Sequence, residues 1–510
     1  MKNTHGDSKV DQEKIPVSQL KKFLKTNNIS DRYLSVITGF DIVINNEMTV
    51  TITKLIRVVP NRRLVFQGLL IRNNAAPVLV IFKIFVDDSK YQKDYNSIQY
   101  GANLLHRIIA IKHQVTDFKL NTPHLIAAQL DDDNKQAYFI HEYVSSDIVI
   151  SEDEIHHTLI KTLSYMHDNN VAQSDLHLDN FIIDKKTVYC LDPASFIEIH
   201  AEKEKLNNFS LFIAQLPIIY YKNWPKYIRS YLGFRNRVIS EKLESSIIQG
   251  IQHNLDHRLF RYANKSLRDC TDFKKIDDRF VSGMIQRKYD EDNDLHDFFE
   301  EFMKDSKSVI ENNTVQILKD GNSAQVFLLS FKDKNIVVKR YLSGSIGKTI
   351  LNTIQFAARK LLVKFNLAPR AINSWRNAHL LAQIGVNTAR PMAYVFNKNG
   401  LMVTDSFFIM EYLDDFNRCQ ELLTHEEPGL YIERIKELLE IFNFLKIAHR
   451  DFKSVNIGFK NEEVFLLDLD AMRKYSHDFC FKRYKSRDKL RFMKCWQHDP
   501  KILTLLNRDR

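Results

Sequence analysis

Cysteine is scarce in this chain and follows no pattern that a disulfide framework or a zinc site would need. The cysteines are odd in number, widely spaced and never arranged as C-x-x-C; the five are Cys190, Cys270, Cys419, Cys480 and Cys495. Disulfide-stapled folds and zinc knuckles use even, closely spaced sets. The sequence therefore predicts free thiols and a reducing compartment.

Glycine and proline are also few, and long apolar runs are missing. The 510 residues include 14 Gly and 11 Pro, which argues against long disordered or fibrous stretches. The most apolar run, from Leu211 to Tyr221, is shorter than the roughly 18 residues that a membrane-spanning helix needs. The N-terminal sequence has no apolar core typical of a signal peptide. We therefore expect a folded cytoplasmic protein that meets a membrane, if at all, from its surface.

Acidic residues are outnumbered by basic ones. The chain has 73 Lys and Arg against 63 Asp and Glu, a formal net charge of +10. Such an excess favours nucleic acid, an anionic membrane surface or a phosphate-bearing substrate, and its sign alone does not choose among them. The basic residues are dispersed rather than gathered in an aromatic-rich patch, so we expect no nucleic-acid partner.

An internal repeat of long period organises the sequence. The first landmark is a β-rich run that contains a lysine, VLVIFKIF with Lys83 and NIVVKRY with Lys339. The second is a strand closing in Ile-x-Glu-Tyr, at Glu142 in the first half and at Glu411 in the second. Because the landmarks recur in the same order, and because 510 residues exceed one ordinary hydrophobic core, the sequence predicts two related domains.

The third landmark is a polar loop followed by a pair of strands. Its residues are Asp175, Asn180 and Asp192 in the first half and Asp451, Asn456 and Asp468 in the second. In both copies the Asn follows the first Asp by five positions, and the second Asp follows the Asn by twelve. A helix is predicted before each loop, over residues 153–168 and 431–446.

Each half therefore reads as strands first and helices afterwards, an α+β order. The prediction is two tandem bilobal domains, residues 1–260 and 261–510, each with a β-rich N-terminal lobe and a helical C-terminal lobe. A hairpin turn is predicted at Lys332 to Asn335. The acidic run from Asp290 to Asp297 is predicted to be a solvated insertion.

These residues match the needs of phosphoryl transfer, which are a cation on the phosphates, a carboxylate for the acceptor hydroxyl and oxygen ligands for magnesium. A single such Asp or Lys would more simply be a helix cap or a surface residue, but a doubled, ordered set indicates a site. The candidate phosphate-binding lysines are Lys83 and Lys339, the candidate bases are Asp175 and Asp451, and the candidate metal ligands are Asn180, Asp192, Asn456 and Asp468.

Three further residues are candidates for nucleotide binding. Glu142 and Glu411 fall where two lobes would join, beside backbone groups that could bind adenine, although their side chains could equally serve in packing or pairing. Lys453, two positions after Asp451, could neutralise charge on the transferred phosphoryl group. The turn at Asp320 to Ala324 could cover the phosphates or be a plain hairpin.

The motifs resemble the protein-kinase-like superfamily, and the second half resembles the lipopolysaccharide core kinases of the Kdo/WaaP family. The motifs that carry the narrower resemblance are residues 374–379 (SWRNAH), 385–391 (GVNTARP), 449–451 (HRD), 468–470 (DLD) and 491–496 (RFMKCW). The resemblance covers roughly residues 310–500. It implies ATP and Mg²⁺, a heptose or Kdo hydroxyl on a lipid-linked core oligosaccharide, and a place at the anionic cytoplasmic face of the inner membrane.

Two departures from the superfamily pattern leave a degenerate, non-catalytic domain open as an alternative for either half. Kinases pair the strand lysine with a Glu on the next helix, yet no Glu lies between Lys83 and Glu142 or between Lys339 and Glu411. Asp94 could substitute for this Glu in the first half. The first half also has Gln173-Ser174 where the second has His-Arg, and an Ala two positions after Asp192, and these changes favour the second half as the catalyst. Two alternatives stay open, a protein Ser/Thr kinase and a pseudokinase scaffold in which one or both domains are inactive.

Overall fold

The computed structural model describes residues 14–26, 40–59, 62–73, 75–110, 119–145, 151–185, 187–342, 346–358, 368–400, 402–425 and 428–507. The chain combines helices and strands and divides into two compact units. The first unit comprises Met1–Leu216 and Lys222–Leu255, and the second comprises Pro217–Tyr221 and Asp256–Arg510.

The first unit begins with strands and ends with helices. Its strands are β1 (Lys14–Pro16), β2 (Asp41–Asn45), β3 (Met48–Val59), β4 (Arg63–Arg72), β5 (Val78–Phe85), β6 (Lys119–Asn121), β7 (Leu125–Asp131), β8 (Gln136–Glu142), β9 (Val171–Gln173), β10 (Phe181–Asp184), β11 (Thr187–Cys190) and β12 (Phe196–Glu198). Its helices are α1 (Val17–Thr26), α2 (Tyr91–Ala110), α3 (Glu152–Asp168), α4 (Glu202–Ile213), α5 (Trp224–Phe234) and α6 (Glu241–Lys265), and the division between the units falls within α6.

A seven-stranded sheet in the order β1-β2-β3-β4-β5-β8-β7 forms the core of the first unit. Apolar side chains alternate along its central strands, so that one face of the sheet packs into a cluster that includes Phe66, Phe82 and Ile140. Strand β5 lies between β4 and β8, which holds Lys83 in the middle of the sheet.

The second unit repeats this order. Its strands are β13 (Phe273–Asp277), β14 (Val281–Gln286), β15 (Thr314–Gly321), β16 (Ala324–Phe331), β17 (Lys334–Tyr341), β18 (Asn387–Thr388), β19 (Pro391–Asn399), β20 (Met402–Glu411), β21 (Asn417–Arg418), β22 (Ile447–Ala448), β23 (Ile457–Lys460), β24 (Glu463–Leu466) and β25 (Arg473–Lys474). Its helices are α7 (Arg287–Asp290), α8 (Asn293–Lys304), α9 (Ser306–Asn313), α10 (Ile346–Ala357), α11 (Arg370–Gln383), α12 (Cys419–His425), α13 (Gly429–Leu445), α14 (Asp478–Cys495) and α15 (Pro500–Asn507).

The main sheet of the second unit also has seven strands, in the order β13-β14-β19-β20-β17-β16-β15. The predicted hairpin is confirmed, since β16 and β17 pair antiparallel across Lys332 and Asp333. Both residues have positive φ, 44° and 64°, as a two-residue turn that matches the strand twist requires. The helices predicted before the polar loops are confirmed as α3 and α13.

The prediction of a solvated insertion at Asp290 to Asp297 is wrong. The Asp290 carboxylate pairs with Lys274 at 2.8 Å and with His296 at 3.0 Å, and Asp292 accepts hydrogen bonds from the first backbone amides of α8. Helix α8 then buries its phenylalanines against the sheet, within the core of the second unit. The acidic residues are therefore caps and ion-pair partners of a packed helix.

No helix among the described residues is long and apolar enough to cross a membrane. All five cysteines are free thiols, as the sequence predicts.

Candidate active site

The strand lysine of the second unit lies at the centre of its sheet. Lys339 is on β17, between β16 and β20, and stands opposite Phe408. Its side chain is buried, so its ammonium group depends on partners at the edge of the apolar core. The two flanking strands fix the stem and leave only the end of the side chain to reach the site.

Two carboxylates meet this ammonium group. Lys339 Nζ lies 2.5 Å from Asp468 Oδ1 and 3.6 Å from Asp470 Oδ2. Burial alone would lower the pKa of Lys339, but Tyr341, Asp470 and Asp468 together outweigh burial and raise the pKa above its ordinary value. The lysine is therefore held as a cation in the interior, which is the state that binds phosphate.

Asp468 is presented by a strained turn. It has φ 58° and ψ 58°, in the left-handed region, and precedes a 3-10 turn, Leu469–Ala471. Asn377 on α11 holds this turn by donating to the carbonyls of Leu469 and Met472 at 2.7 Å and 2.9 Å. A left-handed Asp costs on the order of 1 kcal/mol, and the surrounding hydrogen bonds offset that cost. The carboxylate is thereby aimed at the lysine.

Asp470 takes the place of the glutamate that the sequence lacks. Besides Lys339 it contacts Arg370 of α11, whose Nη2 lies 2.6 Å from Oδ2. Arg370 also donates from Nη1 to the carbonyl of Ser323 at 3.1 Å. Ser323 belongs to the two-residue turn between β15 and β16, so the ion pair also ties that turn to the site. Sequence reasoning included Asp470 in a motif but gave it no role.

The polar loop is built on a buried scaffold. His449 Nε2 contacts the carbonyl of Leu467 at 3.0 Å, and the buried Asp488 of α14 accepts hydrogen bonds from the backbone amides of Arg450 and Phe452 at 2.9 Å and 3.4 Å. Burial raises the pKa of Asp488 and lowers the pKa of His449. Asp488 is thirty-seven positions after Asp451, and no spacing rule pointed to it.

Asp451 is held by a set of polar groups. Its carboxylate lies 2.9 Å from Lys453 Nζ and 3.4 Å from Arg491 Nη1. Asn456 Nδ2 donates to its backbone carbonyl at 2.9 Å and to its Oδ2 at 3.1 Å. These contacts fix the position of the Asp451 carboxylate, and a positioned carboxylate can serve as a general base.

A cleft of about 470 Å³ lies between the strand lysine and the polar loop. Its polar lining includes Lys319, Lys339, Glu411, Asn456 and Asp468. Its apolar lining includes Val326, Phe408, Met410 and Leu467. Lys319 on β15 is a residue that sequence reasoning missed, and its Nζ lies 3.8 Å from Asp468 Oδ2. Burial alone would raise the pKa of Asp468, but Lys339 and Lys319 outweigh burial and lower it.

The Glu411 side chain is engaged within the protein. Tyr289 Oη donates to Glu411 Oε1 at 2.6 Å, and Arg390 Nε lies 4.0 Å from Oε2. Burial and this carboxylate both raise the pKa of Tyr289, which keeps the phenol a donor. The geometry therefore favours pairing within the protein as the role of the Glu411 side chain. A nucleotide at this position would contact backbone groups.

The first unit repeats the backbone framework of this site. The register pairs Lys83 with Phe139 and Val80 with Glu142, as it pairs Lys339 with Phe408 and Ile336 with Glu411. Asn180 Nδ2 donates to the carbonyl of Asp175 at 2.9 Å. Gln173 Nε2 donates to the carbonyl of Leu191 at 3.1 Å, which is the contact that His449 makes in the second unit. Asp192 is also left-handed, with φ 53°.

The two sites differ in their acids. Lys83 Nζ has one carboxylate nearby, that of Asp192 at 3.8 Å, because Ala194 stands where the second unit has Asp470. Burial lowers the pKa of Lys83, and Asp192 does not offset it. Asp94, the candidate substitute for the missing glutamate, pairs with Arg62 at 3.0 Å.

The candidate base of the first unit is also less enclosed. The Asp175 side chain is 72% exposed, against 32% for Asp451, and its carboxylate pairs with the exposed His177 at 3.1 Å. Glu142 lines a cavity of about 600 Å³ whose lining includes neither Lys83 nor Asp192. The first unit thus repeats the backbone arrangement of the site but has fewer ion pairs around its lysine and its candidate base.

The donor set of the second unit fits a magnesium ion that is shared with phosphate. Among the described residues, no cluster of three His, Cys, Asp or Glu side chains could hold a metal alone. Mg²⁺ usually takes one or two protein oxygens and completes its shell with phosphates and water. With Nδ2 of Asn456 donating to Asp451, its amide oxygen and the Asp468 carboxylate are the protein oxygens that suit this role.

Residues 338–494 match the model of the lipopolysaccharide kinase (Kdo/WaaP) family. The matched segment contains Lys339, Asp451, Asn456, Asp468 and Asp470, so the match to Kdo/WaaP covers the residues that the structure brings together. It confirms the resemblance predicted for the second half, and it supports a phosphotransferase activity.

Two solved structures are similar to parts of the chain. One is WaaP in complex with acyl carrier protein, at 14% identity over 40% of this chain and 86% of that chain, with a TM-score of 0.26. The other is WbdD, at 11% identity over 42% of this chain and 48% of that chain, with a TM-score of 0.27. Scores this low carry no argument about function. No curated protein sequence matches the chain.

Proposed function

We propose that the second unit transfers the γ-phosphoryl group of ATP to a heptose or Kdo hydroxyl of the lipopolysaccharide inner core. The observation that carries the proposal is a cleft lined by Lys339, Asn456 and Asp468, with Asp451 hydrogen-bonded to Asn456 beside it, all within the segment that matches the Kdo/WaaP family. The cleft combines apolar walls with cations, and a nucleotide likewise combines an apolar ring with charged phosphates.

Each residue then has a defined role. Lys339, with Lys319 beside it, neutralises the phosphates, and Asp470 keeps the lysine charged and in place. Asp451 accepts the hydroxyl proton while the acceptor oxygen bonds to the γ-phosphorus and the bond to the bridging oxygen of ADP breaks. Lys453 offsets charge on the transferred group. A magnesium ion on Asn456 and Asp468 would supply charge neutralisation at the β and γ phosphates.

We propose that the first unit is a kinase-like domain that binds nucleotide without rapid turnover. The observation that favours this reading is Ala194 in the position of Asp470, together with the exposed Asp175. Its lysine lacks the second carboxylate that keeps Lys339 charged. A pseudokinase role is therefore argued for the first unit alone.

The test is phosphoryl transfer from labelled ATP to two kinds of acceptor. Purified protein with Mg²⁺ is incubated with dephosphorylated core oligosaccharide or with casein. We expect the sugar to be labelled and casein to stay unlabelled. Labelled casein with unlabelled sugar would favour the protein-kinase alternative, and labelling of neither acceptor would count against catalysis.

A further inference from the structure

Helix α14 carries a dense set of exposed cations beside the polar loop. Its exposed basic residues are Lys482, Arg483, Lys485, Arg487, Lys489, Arg491 and Lys494. The helix has two acids. Asp478 at its first turn pairs with Lys446 at 2.8 Å, and Asp488 is buried against the backbone of the polar loop. The outward face of α14 therefore has a large positive charge that its own acids do not balance.

The same face exposes two large apolar side chains. Phe479 is 85% exposed and Leu490 is 69% exposed. Leu490 is eleven positions after Phe479, which is about three turns at 3.6 residues per turn, so both side chains lie on one line along the helix. The buried residues Phe481, Asp488 and Phe492 lie on the opposite side.

The cations flank this apolar line on both sides. At about 100° per residue, Lys482 and Lys489 fall on one side of Leu490, and Arg487 and Lys494 fall on the other. This face therefore presents both apolar and cationic groups, and the surface of an anionic bilayer offers acyl chains and headgroups that match them. The apolar groups enter the acyl boundary while the cations meet anionic headgroups.

We propose that the outward face of α14 docks on an anionic lipid bilayer. The positive charge of this face favours an anionic partner. A soluble polyanion would leave the exposed Phe479 and Leu490 in water, whereas a bilayer would bury them, so we take the partner to be an anionic bilayer. The inference rests on the proposed function in one respect: docking would bring the second unit to a lipid-linked acceptor.

The catalytic loop is attached to this helix. Asp488 holds the backbone of Arg450 and Phe452, and Arg491 contacts the Asp451 carboxylate. Because Asp488 contacts the polar loop from the side of α14 opposite Phe479 and Leu490, a bilayer bound by the outward face would lie about one helix diameter, ~10 Å, from that loop.

Sedimentation with vesicles tests the proposal without turnover. The full chain is mixed with vesicles of phosphatidylcholine and phosphatidylglycerol in equal parts, or of phosphatidylcholine alone. We expect binding to the anionic vesicles only, weakened by salt because the Debye length shortens. The double variant Lys482→Gln/Lys489→Gln should bind roughly 25-fold more weakly, about fivefold per cation. Phe479→Ser/Leu490→Ser should also lose binding.

Matched variants outside the helix serve as controls. Lys203→Gln/Lys242→Gln removes the same charge from exposed positions, and Val238→Ser changes an equally exposed apolar residue. Both should bind vesicles like the wild type. Equal losses in the controls and the helix variants, or equal binding to neutral vesicles, would overturn the proposal. Competition by deacylated core oligosaccharide would also overturn it, by assigning the helix to the sugar.

Failure of this inference and failure of the proposed kinase are separable. The helix variants should label soluble core oligosaccharide as the wild type does, since Lys482, Lys489, Phe479 and Leu490 are outside the cleft. Lost vesicle binding with unchanged labelling supports the docking surface. Unchanged vesicle binding in every helix variant contradicts it, whatever the activity.

Discussion

At the scale of single residues, we propose that the ion pairs of Lys339 replace the contact with the glutamate that kinases usually have. Asp470 contacts the lysine and Arg370, and Arg370 reaches the turn above the cleft. Breaking a buried pair leaves an uncompensated charge and costs about 3–5 kcal/mol when one partner is removed outright. A neutral isostere should cost less, because the hydrogen-bonding shape remains.

The variant Asp470→Asn tests this role. We expect kcat/KM for ATP to fall roughly 10- to 100-fold, about 1.4–2.8 kcal/mol, because Lys339 loses part of its anchoring. The control is Asp297→Asn, which removes a carboxylate from an exposed pair with Lys332 and should change little. Steady-state kinetics with a thermal melt distinguishes a site effect from unfolding. Wild-type kcat/KM in Asp470→Asn would contradict the role.

A buried histidine gives the second unit a specific acid sensitivity. His379 packs among Trp375 and Phe273, and burial lowers its pKa to about 3. The unfolded chain, with a His pKa of about 6.5, binds the proton more readily between pH 6.5 and 3. Stability is therefore complete above about pH 6.5 and declines as the pH falls below it.

The variant His379→Leu should flatten that decline. Between pH 7.5 and pH 5 the wild type should lose about 2 kcal/mol more unfolding free energy than the variant, since the variant has no proton to bind at this position. Denaturant unfolding of both proteins at pH 7.5 and pH 5 measures how much unfolding free energy each one loses between the two pH values. A decline as steep in the variant as in the wild type would show that His379 does not titrate as proposed.

At the scale of elements, both units hold the turn after the candidate metal-ligand aspartate, Asp192 or Asp468, against a helix. In the second unit Asn377 of α11 bonds to that turn. In the first unit α2 approaches it so closely that a Cβ on Gly101 would lie 1.7 Å from the carbonyl oxygen of Pro193. The glycine is therefore required by contact with the backbone and not by its own dihedral angles.

The variant Gly101→Ala should destabilise the first unit by roughly 1–3 kcal/mol, because the helix or the turn must move. Its control is Gly233→Ala in α5, where an added Cβ has no heavy atom within 4 Å. That change should stabilise by up to about 1 kcal/mol through helix propensity. Thermal unfolding measures both changes. Equal effects of the two substitutions would refute the packing argument.

Short stretches of the sequence predicted individual helices and turns better than they predicted contacts between distant residues. The helices α3 and α13 and the hairpin at Lys332 follow from periodicity and turn residues that lie within a short window. The prediction at Asp290 to Asp297 is wrong because it rests on the charges alone and does not consider the apolar residues of α8 among and after them. A cap and a solvated acidic run have the same composition, and only packing distinguishes them.

The supporting residues of the site could not be predicted in this way. Asp470 meets Arg370 from one hundred positions away, and Asp488 reaches Arg450 from thirty-eight. Neither distance follows from a helical or strand period. The doubled spacing of Asp, Asn and Asp pointed to the candidate ligands, but which acids surround each lysine depends on how distant segments pack. The roles of these residues remain proposals.

At the scale of the whole molecule, the chain repeats one framework with unequal chemistry. Asp468 and Asp470 surround one lysine, whereas Asp192 and Ala194 stand beside the other. The second unit also encloses its candidate base more fully. We therefore expect turnover to depend on the second unit, with the first retaining the shape of the site.

The most direct measurement is transfer of labelled phosphate from ATP to dephosphorylated core oligosaccharide by two matched variants, Asp451→Asn and Asp175→Asn. Asp451→Asn should reduce turnover roughly 100- to 10,000-fold, the usual contribution of a general base, with both proteins folded. Asp175→Asn should retain turnover within about twofold of the wild type. Labelling that survives Asp451→Asn but disappears with Asp175→Asn would contradict the account.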